Sequence, residues 1–386
     1  MSEETTTPTV TERIAAEPPP HRLERLRAWM QEQDIDAFVA AGPDEVNYLA
    51  GYWRYYGGPG AVVVGRELDR TLVVMRDEVQ VAERLGAADR VVGYGVRGFG
   101  IELNPLPLLA DVVASEAALA SARRVGIADG LGALRGLLAE RLSGELVAGE
   151  ETLVQFRLRK DEDELARIVH AYELAWLGQR AVAEAAGRGA TEIEMFTAAQ
   201  SAAQVAHGEP IEFLADLLAG DDTAEVCCPI RIAGRRAVAP GEPVIADVVV
   251  RADGYWGDTA ETHLRGDNPE VEPARETLLE ILEQARQELV PGATGAAIFR
   301  AMADRIADAF PGGEFPHHGG HALGLTSFED PHIIPSDEMP LESWMVIAVE
   351  PGVYFPQRWG ARVENVFVVT PEGGIELRDA MGRSRG

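Results

Sequence analysis

Asp247, Asp258, His321, Glu350 and Glu364 carry side chains that bind divalent metal, and each stands where an unpaired charge should not be. Asp247 interrupts the run Pro243-Val-Ile-Ala-Asp-Val-Val-Val250, Glu350 ends Met345-Val-Ile-Ala-Val-Glu, and Glu364 splits Ala361-Arg-Val-Glu-Asn-Val-Phe-Val-Val369. An ionised carboxylate among such neighbours costs several kcal/mol unless a cation or dense hydrogen bonding compensates it. Four carboxylates and one imidazole that converge make the ligand set of a two-metal hydrolytic centre. Seen singly, any of these acids reads as a solvated turn residue or half of an ion pair; only the set together points to metal.

The elements that must position them follow from spacing. Asp247 and Asp258 are eleven residues apart and bracket Gly254-Tyr255, so a strand, a turn and a returning strand bring both carboxyls to one place. Asp253 competes with Asp258 as the second ligand; the interval and the following Thr259 favour Asp258. Strand-like runs cover 243–250, 345–354 and 361–370, and helices are expected from Lys160 toward Gly187, from a capping box at Thr191 and Glu194, and over 271–290 and 294–309. Short strands between helix pairs indicate an α+β domain with helices over a curved, largely antiparallel sheet. Upstream, apolar runs at 37–41, 61–64, 71–75, 90–94 and 124–128 alternate with helical stretches and predict a smaller α/β domain. The expected layout is a disordered tail over 1–20, an α/β domain over 21–150 and a catalytic domain over 155–386.

Composition bounds the partners. At 386 residues and 46% hydrophobic content the chain can bury two ordinary cores. A formal charge of -28 argues against nucleic acid or an anionic membrane surface, and no apolar run reaches the length of a membrane span. The N-terminus has no basic flank leading into an apolar core, so the expected location is cytoplasmic. The only cysteines, Cys227 and Cys228, are adjacent, which disfavours a disulfide between them.

In order and context the five candidate ligands resemble the creatinase, prolidase, aminopeptidase P and methionine aminopeptidase superfamily. His321 lies in His317-His-Gly-Gly-His-Ala-Leu-Gly-Leu325, Glu350 in Glu-Pro-Gly352 and Glu364 in Arg362-Val-Glu364. The resemblance covers roughly residues 155–386, and the preceding segment looks like the creatinase-type N-terminal domain. It implies a pita-bread catalytic domain with a creatinase-like α/β domain before it. It also implies two divalent ions per chain (Mn, Co, Fe or Zn), with Asp247 on one, His321 and Glu350 on the other, and Asp258 and Glu364 bridging both. Glu350 would move the proton of the attacking water, with His317 as a neighbouring donor. A homodimer is implied as well, and Arg362 is expected to hold a carboxylate.

The chain departs from the peptidases of that superfamily at several places. Where they carry a second histidine, seven residues after the metal histidine, this chain has Phe328, and a phenyl ring moves no protons. Cys227-Cys228-Pro229-Ile230 stands where they have a histidine before the first aspartate, and Glu261 replaces a basic residue in Asp258-Thr-Ala-Glu-Thr262. If Glu261 faces the site, a cationic or neutral ligand is favoured. Tyr52-Trp-Arg-Tyr-Tyr-Gly-Gly58 adds rings, and Trp53, Tyr55, Tyr56 and Trp256 can form a box for an amine or onium group, or simply pack. The leading expectation is a metal-dependent hydrolase of a small amide or short peptide, similar to Xaa-Pro peptidases but with altered specificity. The alternatives are an ectoine-type hydrolase or a dimethylsulfoniopropionate-type lyase acting on a small cationic substrate, and a binding protein without catalysis.

Overall fold

The computed structural model describes Ile14 and residues 16–96, 103–225 and 233–378. Cys227 and Cys228 lie outside the described residues. The chain divides into two compact units, Pro20–Arg157 and Leu158–Gly386, the second also taking in Met1–Pro19. Within the stretch read as a tail, Ile14 is buried and the carbonyl of Ala16 accepts a 3.1 Å hydrogen bond from the indole N–H of Trp344.

The first unit runs α1 (Arg22–Glu32), β1 (Ala37–Ala41), α2 (Pro43–Ala50), β2 (Ala61–Gly65), β3 (Arg70–Met75), α3 (Val79–Leu85), β4 (Arg90–Tyr94), α4 (Pro105–Ala114), β5 (Arg124–Asp129), α5 (Leu134–Ala139) and β6 (Glu145–Ala148), and α6 (Glu150–Leu158) closes it. The strands form one sheet in the order β4-β3-β2-β1-β5-β6. Pairs β1–β2 and β2–β3 are antiparallel, while β3–β4, β1–β5 and β5–β6 are parallel. β1 and β2 are buried along their whole length, which explains why they read as unbroken apolar runs without alternation.

The second unit continues with α7 (Glu162–Gly187), α8 (Glu192–His207), β7 (Glu212–Ala219), β8 (Pro243–Ala252), β9 (Tyr255–Leu264), α9 (Val271–Glu288), α10 (Gly295–Ala309), β10 (Gly320–Ala322), β11 (Glu329–His332), β12 (Val346–Val349), β13 (Gly352–Phe355), β14 (Trp359–Arg362), β15 (Asn365–Val368) and β16 (Ile375–Glu376). Capping boxes start α7, at Asp161 and Glu164, and α8, at Thr191 and Glu194. The sheets are β7-β8-β9, β11-β10-β12-β15-β16 and the pair β13-β14. An isolated antiparallel bridge between Ala260 and Glu364 links the first two.

The β8–β9 hairpin closes through the two-residue loop Asp253-Gly254, with φ of +50° and +78°. Positive φ at both positions is the turn whose twist suits a tight hairpin, and Asp and Gly tolerate it. Helix α7 packs on one face of this hairpin so closely that a Cβ on Gly257 would sit 2.2 Å from the backbone N of Tyr172. On the same face the side-chain amide of Gln179 donates to the carbonyls of Ala246 and Thr259, both at 2.9 Å. The other face is left for the polar cluster.

Two strand expectations need refinement. The apolar run 345–354 is two strands in different sheets, broken at Glu350-Pro351, and 361–370 is broken at Val363-Glu364. The breaks fall at the carboxylates themselves, where the chain leaves one ladder to turn a side chain toward the cluster. Strand β7 was not legible as a strand. Among the described residues no helix is long and apolar enough to cross a membrane.

Candidate metal centre

Register brings the acids together. Asp216 on β7 pairs with Asp247 on β8, Asp247 with Ala260 on β9, and Ala260 bridges to Glu364. One step before Glu350, Val349 pairs with both Asn365 and Gly320, so Glu350 lies across from Glu364 at the end of the β10–β12–β15 ladder. Asp258 is opposite Val249, two positions from Asp247, on the same face of the hairpin. The row is tied by the N–H of Glu364 to the carbonyl of Ala260 at 2.8 Å, and by the Thr259 hydroxyl to the carbonyl of Glu364 at 3.1 Å.

His321 enters from β10 with its Nδ1 3.0 Å from the carbonyl of Ala322. A carbonyl only accepts, so Nδ1 carries the proton and the Nε2 lone pair is turned to the cluster. That nitrogen lies 3.8 Å from Asp258 Oδ2 and 4.0 Å from Glu350 Oε1. Ligand atoms of Asp258, His321 and Glu364 all lie within 4.8 Å of one another. Oδ1 of Asp258 and Oε1 of Glu364 are buried with no hydrogen-bond partner among the described residues. Buried anionic oxygens left over beside a neutral imidazole are what a divalent cation satisfies, and an oxygen-rich set with one imidazole suits Mn, Co, Fe or Zn.

The electrostatics have the same origin. Burial, then repulsion from Asp247 and Glu350, pushes the Asp258 carboxyl well above the usual range; burial, then Asp258 and Glu350, does the same to Glu364. Burial raises Asp247 to about 7, with Arg362 opposing. Burial lowers His321 to about 4, keeping its imidazole neutral. Glu350 goes the other way: burial raises it, but the hydrogen bond and charge of His318 and the imidazoles of His317 and His321 bring it to about 2. One carboxylate is thus held ionised beside three that resist ionisation without a cation.

Four neighbours border the cluster. Arg362, buried on β14, places Nη2 3.1 Å from Asp247 Oδ2 and 3.5 Å from Asp216 Oδ2. Its guanidinium therefore serves two carboxylates of the chain, one through Asp216, a residue sequence reasoning missed although it interrupts the apolar run Phe213-Leu-Ala-Asp-Leu-Leu218 as Asp247 interrupts its own. His318 was also missed: its Nδ1 is 3.0 Å from Glu350 Oε1. His317 was named instead, and both its nitrogens are engaged, Nδ1 with the carbonyl of His318 at 2.7 Å and Nε2 with the Tyr354 hydroxyl at 3.2 Å. It stands 3.7 Å from Glu350 Oε2, so His318 is the histidine nearer to that carboxylate.

With this geometry in place, comparison with known proteins decides the family. Residues 158–371 match the model of metallopeptidase family M24, and residues 22–158 match the creatinase/prolidase N-terminal domain. The chain belongs to metallopeptidase family M24. It is 27% identical to the putative dipeptidase YkvY of Bacillus subtilis over 92% of this chain and 97% of that protein. It is 26% identical to the crystal structure of dipeptidase PepE from Mycobacterium ulcerans, covering 95% of each chain with a TM-score of 0.69. The prolidase from Pyrococcus furiosus, at 24% identity, shares the fold with a TM-score of 0.73 over 93% of this chain and all of that one. The pita-bread domain behind a creatinase-type domain, expected from the sequence, is therefore present, and the chain is a metallohydrolase.

Aromatic rings and a buried ion pair border the cluster on the His321 side. The Phe328 ring stacks on His321, with centroids 4.1 Å apart, and meets His318 edge-on at 5.7 Å. It is 54% exposed, so one face covers the imidazole and the rest faces solvent. Its loop is pinned by Glu329, which accepts from the backbone N–H of Leu325 and Thr326 and pairs with buried Lys160 at 2.7 Å. His332, the other candidate for a second imidazole, lies nearly parallel to the Phe328 ring with centroids 6.5 Å apart.

Two expectations are corrected. Glu261 pairs with Ala246, so it alternates to the face opposite Asp247 and Asp258, where its Oε2 accepts from Arg275 on α9 at 2.7 Å. It adds no negative charge to the site and gives no preference for a cationic substrate. Trp256 is buried on β9 with the Arg251 guanidinium 5.5 Å from its ring centre, so the chain's own cation occupies the ring. In the first unit Trp53 is half-buried, while Tyr55 and Tyr56 are exposed.

Proposed function

We propose that the chain hydrolyses the amide bond of dipeptides and other short peptides, with a specificity shifted from that of Xaa-Pro dipeptidases by Phe328. The observation that carries it is the convergence of Asp247, Asp258, His321, Glu350 and Glu364 on one buried cluster, with leftover oxygens on Asp258 and Glu364. The names of relatives point the same way, since both a Bacillus and a Mycobacterium protein of near-equal length are called dipeptidases.

In this reading Asp247, Asp258, His321, Glu350 and Glu364 hold two divalent ions, Mn, Co, Fe or Zn. Such a pair lowers the pKa of a water between them and polarises the scissile carbonyl. The residues of the chain supply the rest. Glu350, kept ionised chiefly by the hydrogen bond and charge of His318, takes the proton released by the nucleophile and passes it to the departing nitrogen. His318 is placed to relay that proton, being partly exposed and in contact with Glu350. Arg362 fixes Asp247 and cancels part of its charge. Phe328 walls the substrate side and excludes water from the His321 face. The working enzyme is a cytoplasmic homodimer in this account, and size-exclusion chromatography with light scattering checks its assembly.

The test is hydrolysis of a panel of dipeptides, with and without a carboxyl-side proline, by protein stripped of metal and then reloaded. Metal-dependent release of free amino acids supports the reading; a panel left intact by metal-loaded protein overturns it.

A further inference from the structure

A second group of metal-binding side chains lies in the same unit as the cluster but at the far end of the hairpin. His170 on α7, His207 at the last position of α8 and Asp253 in the β8–β9 turn each offer one ligand atom, and these atoms lie within 4.8 Å of one another. His170 Nε2 is 3.1 Å from His207 Nδ1, and His207 Nε2 is 3.9 Å from Asp253 Oδ1. Roughly 15–20 Å of strand separate Asp253 from Asp258 and Asp247, so the two groups share no ligand.

Each member is fixed by local structure. Helix α8 ends at His207 because Gly208 takes a φ of +85°, and this stop sets the position of the imidazole. Asp253 adopts a φ of +50° as the first residue of the two-residue hairpin loop, which turns its carboxylate toward the end of α8. His170 is in the third turn of a long helix buried along one side, with the carboxylate of Glu173 4.0 Å from its Nδ1.

We propose that His170, His207 and Asp253 form a second cation site, separate from the catalytic centre, for a borderline divalent ion such as zinc, nickel or cobalt. His170 Nε2 and His207 Nδ1, in hydrogen-bond contact at 3.1 Å, are separated by close to the edge of a tetrahedron with bonds of about 2.0 Å, which is about 3.3 Å, so an ion would take the place of that hydrogen bond, with one nitrogen from each ring and one oxygen from Asp253. Two imidazoles and one carboxylate favour these metals over magnesium or calcium, which demand oxygen ligands. Exposure of His170 and Asp253 gives an entry path, and the net charge of -28 raises the local concentration of cations. An ion bound here ties α7, the end of α8 and the hairpin tip together, and so braces the strands that carry Asp247 and Asp258.

Zinc binding, measured by equilibrium dialysis and by thermal melting, tests the proposal. The Asp258→Asn protein, crippled at the catalytic centre, retains one zinc per chain, and adding His207→Gln weakens that zinc by about 100-fold or more. His170→Asn alone melts at the wild-type temperature without zinc, loses the zinc-induced rise in Tm, and hydrolyses peptide at the wild-type rate when its centre is loaded. Zinc retention unchanged by His207→Gln, or a zinc-induced rise in Tm that survives His170→Asn, overturns it.

Discussion

Phe328 lies face to face with His321, ring centres 4.1 Å apart and planes inclined by 27°. A phenyl ring on one face of an imidazole whose Nε2 edge is turned to the carboxylate cluster is a wall, and its exposed part is what a substrate side chain would meet. Phe328→Ala is expected to keep the metal and to raise KM for peptides by about 3- to 10-fold, the loss of one aromatic contact of roughly 1 kcal/mol, with a smaller change in kcat. KM unchanged across a dipeptide panel would remove Phe328 from the substrate wall.

His318, at 3.0 Å, is the imidazole nearest to Glu350. His318→Ala is expected to lower kcat by about 100-fold with KM within a few-fold, the size of a lost proton carrier. His317→Gln keeps a partner for Tyr354 and should cost less. Steady-state kinetics of both decide it: wild-type turnover in His318→Ala, with inactivity in His317→Gln, reverses the assignment.

Arg362 sits between Asp216 and Asp247; Arg362 and Asp216 are buried and Asp247 partly so. Replacing it by Met leaves two carboxylates without their cation and is expected to destabilise the metal-free protein by about 3–5 kcal/mol. Combined with Asp216→Asn, the loss should be less than the sum of the single losses, because the two side chains share one interaction. Denaturant melts of the four proteins give the coupling, and strict additivity would separate Asp216 from the cluster.

The pH dependence follows from opposed groups. His263, His317 and His321 are each lowered to about 4 by burial, so in the folded protein they stay neutral where the unfolded chain would protonate them, and stability rises with pH up to about 6.5. Asp247, raised to about 7, and Asp258 and Glu364, raised well above the usual range, hold protons in the folded state that the unfolded chain has lost. Their contribution is full below about 4 and is lost as pH rises through their folded values. Above about pH 6.5 these carboxyls act together with His318, which burial lowers but the Glu350 carboxylate raises on balance, and both lose their contribution as pH rises, so metal-free protein should become less stable between pH 6.5 and 8, while metal binding releases protons and tightens with pH. Urea melts at the two pH values, with calorimetry of metal binding in two buffers, check both signs.

The cluster was legible because burial makes charge conspicuous: Asp247, Glu350 and Glu364 each break an apolar run. The hairpin was legible too, since Asp253-Gly254 is a strong turn signal between β-branched strands. Asp216 breaks an apolar run in the same way, but β7 is rich in Leu and Ala, residues that read as helix as readily as strand, so its pairing with β8 was hidden. Which face Glu261 occupies depends on register, and one residue of slip would have placed it in the site. The choice of His318 over His317 depends on ring orientation after a two-glycine turn, which spacing does not encode.

The measurement that bears most directly on the whole account is the metal content and peptidase activity of wild type and Glu364→Gln, each stripped and reloaded with manganese or cobalt. Glu364→Gln keeps the shape of the side chain and removes the charge of an acid whose buried Oε1 has no partner among the described residues. The account predicts that reloading restores both metal and dipeptide hydrolysis to the wild type, while the variant binds metal more weakly and hydrolyses about 100-fold more slowly or worse. Full hydrolysis by metal-stripped wild type, or a variant with undiminished metal and activity, would contradict it.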